Sequence, residues 1–164
     1  MNKGLSDMLK IEFPNIIPVL RPSIELPQII ENNWIAGFTD AECCFYVKLS
    51  NSKTTKTGKV VSLVFNIAQH SRDALLLAKL SKPLGCGNFI EDSKTQVCII
   101  SITKLSDLLL KIIPLFNEYP LQGSKKLDFM DFFNIAELLK NKAHFSEQGL
   151  DLILKIKNGM NKGR

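Results

Sequence analysis

Trp34-Ile35-Ala36-Gly37-Phe38-Thr39-Asp40-Ala41-Glu42 is the stretch on which the fold turns. Asn32 and Asn33 precede it as an N-cap, and the spacing predicts a short helix. Gly37 and Ala41 stand four apart and share a helix face, with Ala36 beside them. Small residues at that spacing let two helix backbones approach closely. The same pattern also serves a helix packed tightly on its own domain. Ile35 and Phe38, at i and i+3, face the core in either case. Asp40 and Glu42 lie at the helix's C-terminal end, where the macrodipole favours cations. A divalent metal held by carboxylate and backbone oxygens would resolve that conflict. Two side chains that simply reach solvent would resolve it as well.

Downstream of the helix, Phe45, Val47 and Leu49 alternate with Tyr46, Lys48 and Ser50, which predicts a half-buried strand over 44–52. Residues 51–58 are polar and turn-like. A second strand follows over 59–70, with Val61, Leu63, Phe65 and Ile67 on one face. Val60, Ser62, Val64, Asn66 and Ala68 take the other. Ser71 caps a helix to about residue 81, with Asp73 in its first turn, and Pro83 and Gly85 end it. Residues 86–91 and 96–103 form another hairpin around Asp92-Ser93-Lys94-Thr95. Helices then run over 104–118, 124–141 and 146–160, with Ser124 and Ser146 as caps and Pro114 kinking or ending the first. The result is an α+β domain with a four-stranded antiparallel sheet and helices on one face. The outer face must meet solvent or a ligand.

Upstream, residues 1–31 hold four of the seven prolines: Pro14, Pro18, Pro22 and Pro27. Apart from a short helix over about 5–11, started by Ser6 or Asp7, they read as an extended linker-like arm. The domain proper is 32–164. A chain of 164 residues with 45% apolar and 23% charged residues can bury a real core, which excludes disordered and fibrous classes. The net charge of +5 suits a polyanionic partner. Apolar runs fall short of the ~20 residues of a membrane span, so no membrane role is expected. Lys3, Asp7, Lys10 and Glu12 interrupt any signal-peptide pattern. Cys43, Cys44, Cys86 and Cys98 lack metal-ligand spacing and only two histidines exist, which argues against zinc. Such scattered thiols suit a reducing compartment as small buried hydrophobes.

The nine-residue helix resembles the signature helix of the LAGLIDADG homing endonucleases. The resemblance continues through Leu63-Val64-Phe65-Asn66-Ile67-Ala68-Gln69-His70, Leu84-Gly85-Cys86-Gly87 and Lys125. It runs on to His144-Phe145-Ser146-Glu147-Gln148-Gly149-Leu150 and the stretch ending at Asn161. It covers nearly the whole chain and implies the family's αββαββα core with extra C-terminal helices. By that resemblance, two signature helices pack about a two-fold or pseudo-two-fold axis, through Ala36, Gly37, Asp40 and Ala41. Glu42 and the carbonyl of Ala41 would ligate Mg²⁺ or Mn²⁺ at the scissile phosphates. Gln69 matches a position that orients solvent. Lys125, with Lys126 as the alternative, matches one that supplies positive charge. The sheet would lie in the DNA major groove, with Tyr46, Lys48, Ser50, Lys59, Ser62 and Asn66 as contacts.

Two features depart from the family pattern. Cys43 stands where the family usually has Gly, a residue that tolerates positive φ. The outer face also carries Val60, Val64, Ala68, Ile90, Val97 and Ile99, and such patches often mark protein interfaces. Only one signature motif is present, and Asn2-Lys3-Gly4 echoes Asn161-Lys162-Gly163, so the chain looks like the second half of a double-motif enzyme. The resemblance therefore implies a site-specific, metal-dependent DNA endonuclease, mitochondrial and intron-encoded. It would act as a dimer with a second LAGLIDADG domain, as a homodimer or a heterodimer. The alternative is a non-catalytic descendant that binds nucleic acid, RNA included. Such a protein would serve as a subunit of a ribonucleoprotein such as the mitochondrial ribosome, or as an intron maturase.

Overall fold

The computed structural model describes residues 6–17 and 25–163. Leu5, Pro18, Pro22 and the segment Asn2-Lys3-Gly4 lie outside them. Helix α1 (Asp7–Glu12) starts at Ser6, whose hydroxyl accepts from the Leu9 amide. Helix α2 (Asn32–Glu42) carries the signature stretch and runs into strand β1 (Cys43–Asn51) with no residue between. Strand β2 (Lys59–His70), helix α3 (Ala74–Leu84) and strands β3 (Asn88–Asp92) and β4 (Val97–Ile102) follow. The remainder is helical: α4 (Leu105–Asp107), a π turn (Leu108–Ile112), α5 (Ile113–Glu118), α6 (Lys125–Lys140) and α7 (Glu147–Asn158). The strands form one antiparallel sheet in the order β1-β2-β4-β3. This is the expected α+β architecture.

Alternation decides which side of the sheet is dry. Phe45, Val47, Val61, Leu63, Phe65, Ile67, Cys98, Ile100 and Ile102 are all buried on the inner side. Phe45 is the hub. Its ring centroid lies 5.0 Å from Phe65, 5.2 Å from Phe132, 5.5 Å from Phe129 and 6.0 Å from Phe116. One side chain thus ties β1 and β2 to α5 and α6. Ile30, within the expected arm, also joins this core.

Several local expectations are corrected. Asn32 and Asn33 lie inside α2, and Glu31 takes the cap position without a side-chain bond. The helix after β2 is begun by His70, not Ser71, because the His70 Nδ1 accepts from the Arg72 amide at 3.1 Å. Residues 71–73 form a 3₁₀ turn, and α3 then continues through Pro83 to Leu84. Gly85, at φ +62°, stops it. Pro114 neither ends nor breaks its helix. A mid-helix proline clashes with the carbonyl four residues back, here that of Leu110, which the π turn carries. The wider π spacing relieves the clash. Ser124 has helical dihedrals and caps nothing by its side chain. Ser146 does cap α7, accepting from the Gly149 amide.

Gly149 shows why the first turn of α7 needs a glycine. A Cβ there would sit 2.1 Å from the Ala143 carbonyl oxygen. In an open helix, Gly→Ala gains about 0.8–1 kcal/mol. Gly149→Ala should instead cost about 1–3 kcal/mol, the usual range for overpacking against atoms that cannot yield. Gly37→Ala is the control, since a Cβ at Gly37 meets nothing within 4 Å. Urea unfolding of both variants should give opposite signs.

Candidate active site

The end of α2 is where the chemistry-bearing residues gather. Glu42 is the helix's last residue, exposed, and makes no hydrogen bond or ion pair with the other described residues. The last carbonyls of a helix lack intrahelical partners, and that of Ala41 is among them. Lys125, at the start of α6, donates from Nζ to the carbonyl of Cys43. A cation therefore sits on the negative end of the helix, next to Glu42. Gln69 lies two residues beyond Ile67, the register partner of Cys43, on the adjoining strand. Three elements distant in sequence thus converge on one junction, and Lys125, not Lys126, is the lysine bonded to it.

Two residues without an assigned role complete that junction. Asp128 is buried one turn after Lys125 and accepts from the Asn161 amide at 2.8 Å. Asn161, at φ +54°, donates from Nδ2 to the Phe45 carbonyl at 3.0 Å and takes the Cys44 thiol on Oδ1. The carbonyls of Cys43 and Phe45 are thereby clamped, by Lys125 and Asn161 respectively. The sequence signal was the i, i+3 spacing of Lys125 and Asp128, which places both on one face of α6.

Asp40 and Ala36, two residues of the expected dimer seam, have partners within the chain. The Asp40 carboxylate accepts from the amides of Gln122 (2.7 Å) and Gly123 (3.1 Å). It therefore anchors the loop before α6, and the negative pocket read at the helix end reduces to Glu42. Ala36 is buried in the chain's own core. Gly37 and Ala41 are exposed, in line with Trp34, which stacks on Phe38 at 4.8 Å.

Cys43 has φ −89° and ψ 167°, ordinary extended backbone. The junction therefore imposes no positive φ, and glycine is not required there. Burial pushes the Cys43 thiol far above the usual range, with the Lys125 charge pulling partly back. It stays protonated and acts as core packing. Cys98 is buried too, but Cys44 is exposed and Cys86 half-buried; all four are free.

The outer sheet face carries Tyr46, Lys48, Ser50, Ser62 and Asn66, as alternation required, with Lys48 opposite Ser62 and Tyr46 opposite Val64. Asn66 donates to the Tyr46 hydroxyl at 3.4 Å. Lys59 is a correction: its parity is that of Val61 and Leu63, the helix side, and its ammonium is held by Asn51 at 2.6 Å. Among the described residues, no group of three or more His, Cys, Asp or Glu side chains could hold a metal. A metal at Glu42 would need ligands from outside the chain. The oxygen donors that are present, one carboxylate and one carbonyl, suit a hard divalent ion such as Mg²⁺ or Mn²⁺. Among the described residues, no helix is long and apolar enough to cross a membrane.

A family model described as LAGLIDADG endonuclease matches residues 35–136. Probable intron-encoded endonuclease 2 of Neurospora crassa is 40% identical over 98% of this chain, which spans 36% of that protein. The solved structure of the I-LtrWI LAGLIDADG homing endonuclease bound to target DNA superposes with a TM-score of 0.92. It is 42% identical, and the match covers all of this chain and 55% of that one. I-SmaMI bound to cleaved DNA gives a TM-score of 0.92 at 41% identity, over the same share of each chain. The chain spans about half the length of these solved relatives.

Proposed function

We propose, from the premise that this chain belongs to the LAGLIDADG endonuclease family, that it is one half of a site-specific, divalent-metal-dependent DNA endonuclease. The observation that carries this is the α2 terminus. An unpaired, exposed Glu42 lies beside a carbonyl end already neutralised by Lys125. That leaves one free carboxylate and one backbone oxygen, half of an oxygen-rich metal site. A second LAGLIDADG domain, a copy of this chain or a different one, supplies the other half. Glu42 and the Ala41 carbonyl would hold a divalent ion there, which would supply positive charge at the phosphate oxygens. Gln69 would orient solvent, and Lys125 fixes the helix end and adds positive charge beside Glu42. The solved relatives are bound to DNA, which supports a duplex as the partner. The sheet's outer face, which no helix among the described residues covers and which carries Lys48, Ser50 and Ser62, is the surface we assign to it. The family resemblance supports a mitochondrial, intron-encoded origin. Cys43 favoured a non-catalytic descendant, but its unstrained backbone removes that argument.

Selection of cleavable sites from a randomised duplex library, with Mg²⁺ and with Mn²⁺, tests the proposal. A specific site should emerge. A chain that cuts no duplex, whether alone or supplied with a second LAGLIDADG domain, where a related enzyme does, ends it.

Partnering through α2 has its own test. Open space over Gly37 and exposure of Ala41 leave room for a second helix backbone. Gly37→Leu should leave the fold intact and abolish self-association in sedimentation velocity. A wild-type chain that stays monomeric at high concentration argues for a different domain as partner.

A further inference from the structure

The outer face of the sheet is banded, and the bands lie across the strands. Register places Ala68 opposite Ile99 and Ile99 opposite Ile90, so these three form one row across β2, β4 and β3. The next row toward the middle of β1 holds Asn66, Ser101 and Asn88. Ala68 and Ile90 are exposed, and Ile99 is half-buried. The apolar row stands one residue short of Gln69, at the end of the sheet nearest Glu42.

We propose that this row reads thymine methyl groups, so that the base pairs nearest the cleavage centre are A·T-rich. The inference rests on the sheet being the DNA surface. Three strands spaced ~4.8 Å apart span about 10 Å, which fits across a major groove about 12 Å wide. Thymine is the one base that offers a methyl group there. Guanine is most often read by Arg or Lys, and neither row contains one. Lys48 is the first cation along the outer face of β1, two rows further out than Asn66. Asparagine suits adenine through its paired donor and acceptor, so the polar row favours the same base pairs. Asn66 and His70 flank Ala68 on β2, and Asn88 and Asp92 flank Ile90 on β3, so only Val97 on β4 extends the apolar band beyond one row. That narrowness fits stacked base pairs better than a protein partner's broad patch.

Binding by the full chain to a randomised duplex library should enrich thymine at two or three adjacent positions. Deoxyuridine at each then removes only the methyl. Affinity should fall about threefold to fourfold per contacted methyl, the worth of one buried methylene-sized group. Ile99→Asn should erase the thymine–uracil difference at its position while leaving the salt dependence of binding unchanged. Equal affinity for thymine and uracil at every position overturns the inference alone, and needs no protein variant. Loss of self-association in Ile99→Asn, with thymine preference intact, overturns it in favour of a protein on that face. Failure to bind any duplex overturns both this inference and the DNA-binding reading beneath it.

Discussion

Replacing Glu42 with glutamine is expected to abolish duplex cleavage while binding in Ca²⁺ persists. The amide keeps the size and removes the charge that, under the proposed function, would hold the metal. A catalytic metal contributes several kcal/mol of transition-state stabilisation, and each ~1.4 kcal/mol is tenfold in rate. The loss should therefore be roughly a thousandfold or more in single-turnover cleavage. Folding should be untouched, because Glu42 is exposed and carries no hydrogen bond or ion pair with the described residues. A melting temperature equal to wild type, together with lost cleavage, separates chemistry from stability. Residual cleavage within about tenfold of wild type would remove Glu42 from the metal site.

Phe45→Ala should cost about 3–5 kcal/mol, the range for buried Phe→Ala changes. Phe45 is fully buried and meets four other rings, on β2, α5 and α6. No single neighbour can collapse into the void, because each belongs to a different packed element or already touches the others. For a chain of this size the melting temperature should drop by on the order of 10 °C. Chemical denaturation of the variant checks it, and a loss under about 1 kcal/mol would mean that the cluster repacks. Because the carbonyl of the same residue is held by Asn161, loosening here should also disturb the junction of α2 with β1.

Most of the fold was legible because one face of each strand is dry. The alternation in 44–50 and 59–68 could be satisfied in one phase only, and the buried residues follow it except at Val64, which is buried although its parity is that of the outer face. Lys59 escaped because parity matters little at a hairpin tip, where charge alone suggests a nucleic-acid contact. Caps were less legible. The imidazole of His70 takes the Arg72 amide, so the cap falls one residue before the hydroxyl of Ser71, and only the geometry decides between them. The π turn before Pro114 leaves no mark in composition. At the site, Glu42, Gln69 and Lys125 came from the motif resemblance rather than from spacing. Asp40 was legible as an acidic residue at a helix end, but not as an acceptor for amides 82 and 83 residues away. Asn161 belonged to the quoted resemblance without a role, since its three bonds join segments that only folding brings together.

The direct passage from α2 into β1 has a mechanical consequence. A loop between helix and strand would act as a hinge and absorb displacement. Here the backbone goes from Glu42 to Cys43 without slack, and the carbonyls of Cys43 and Phe45 are both pinned. The carboxylate and the surface beyond it therefore move as one rigid lever. A tilt of about 5° in the sheet, carried over ~10 Å, displaces the tip by nearly 1 Å, and misplacement on that scale can cost on the order of a hundredfold in rate. A poorly seated duplex would accordingly be penalised twice, once in how tightly it is held and again in how fast it is cut.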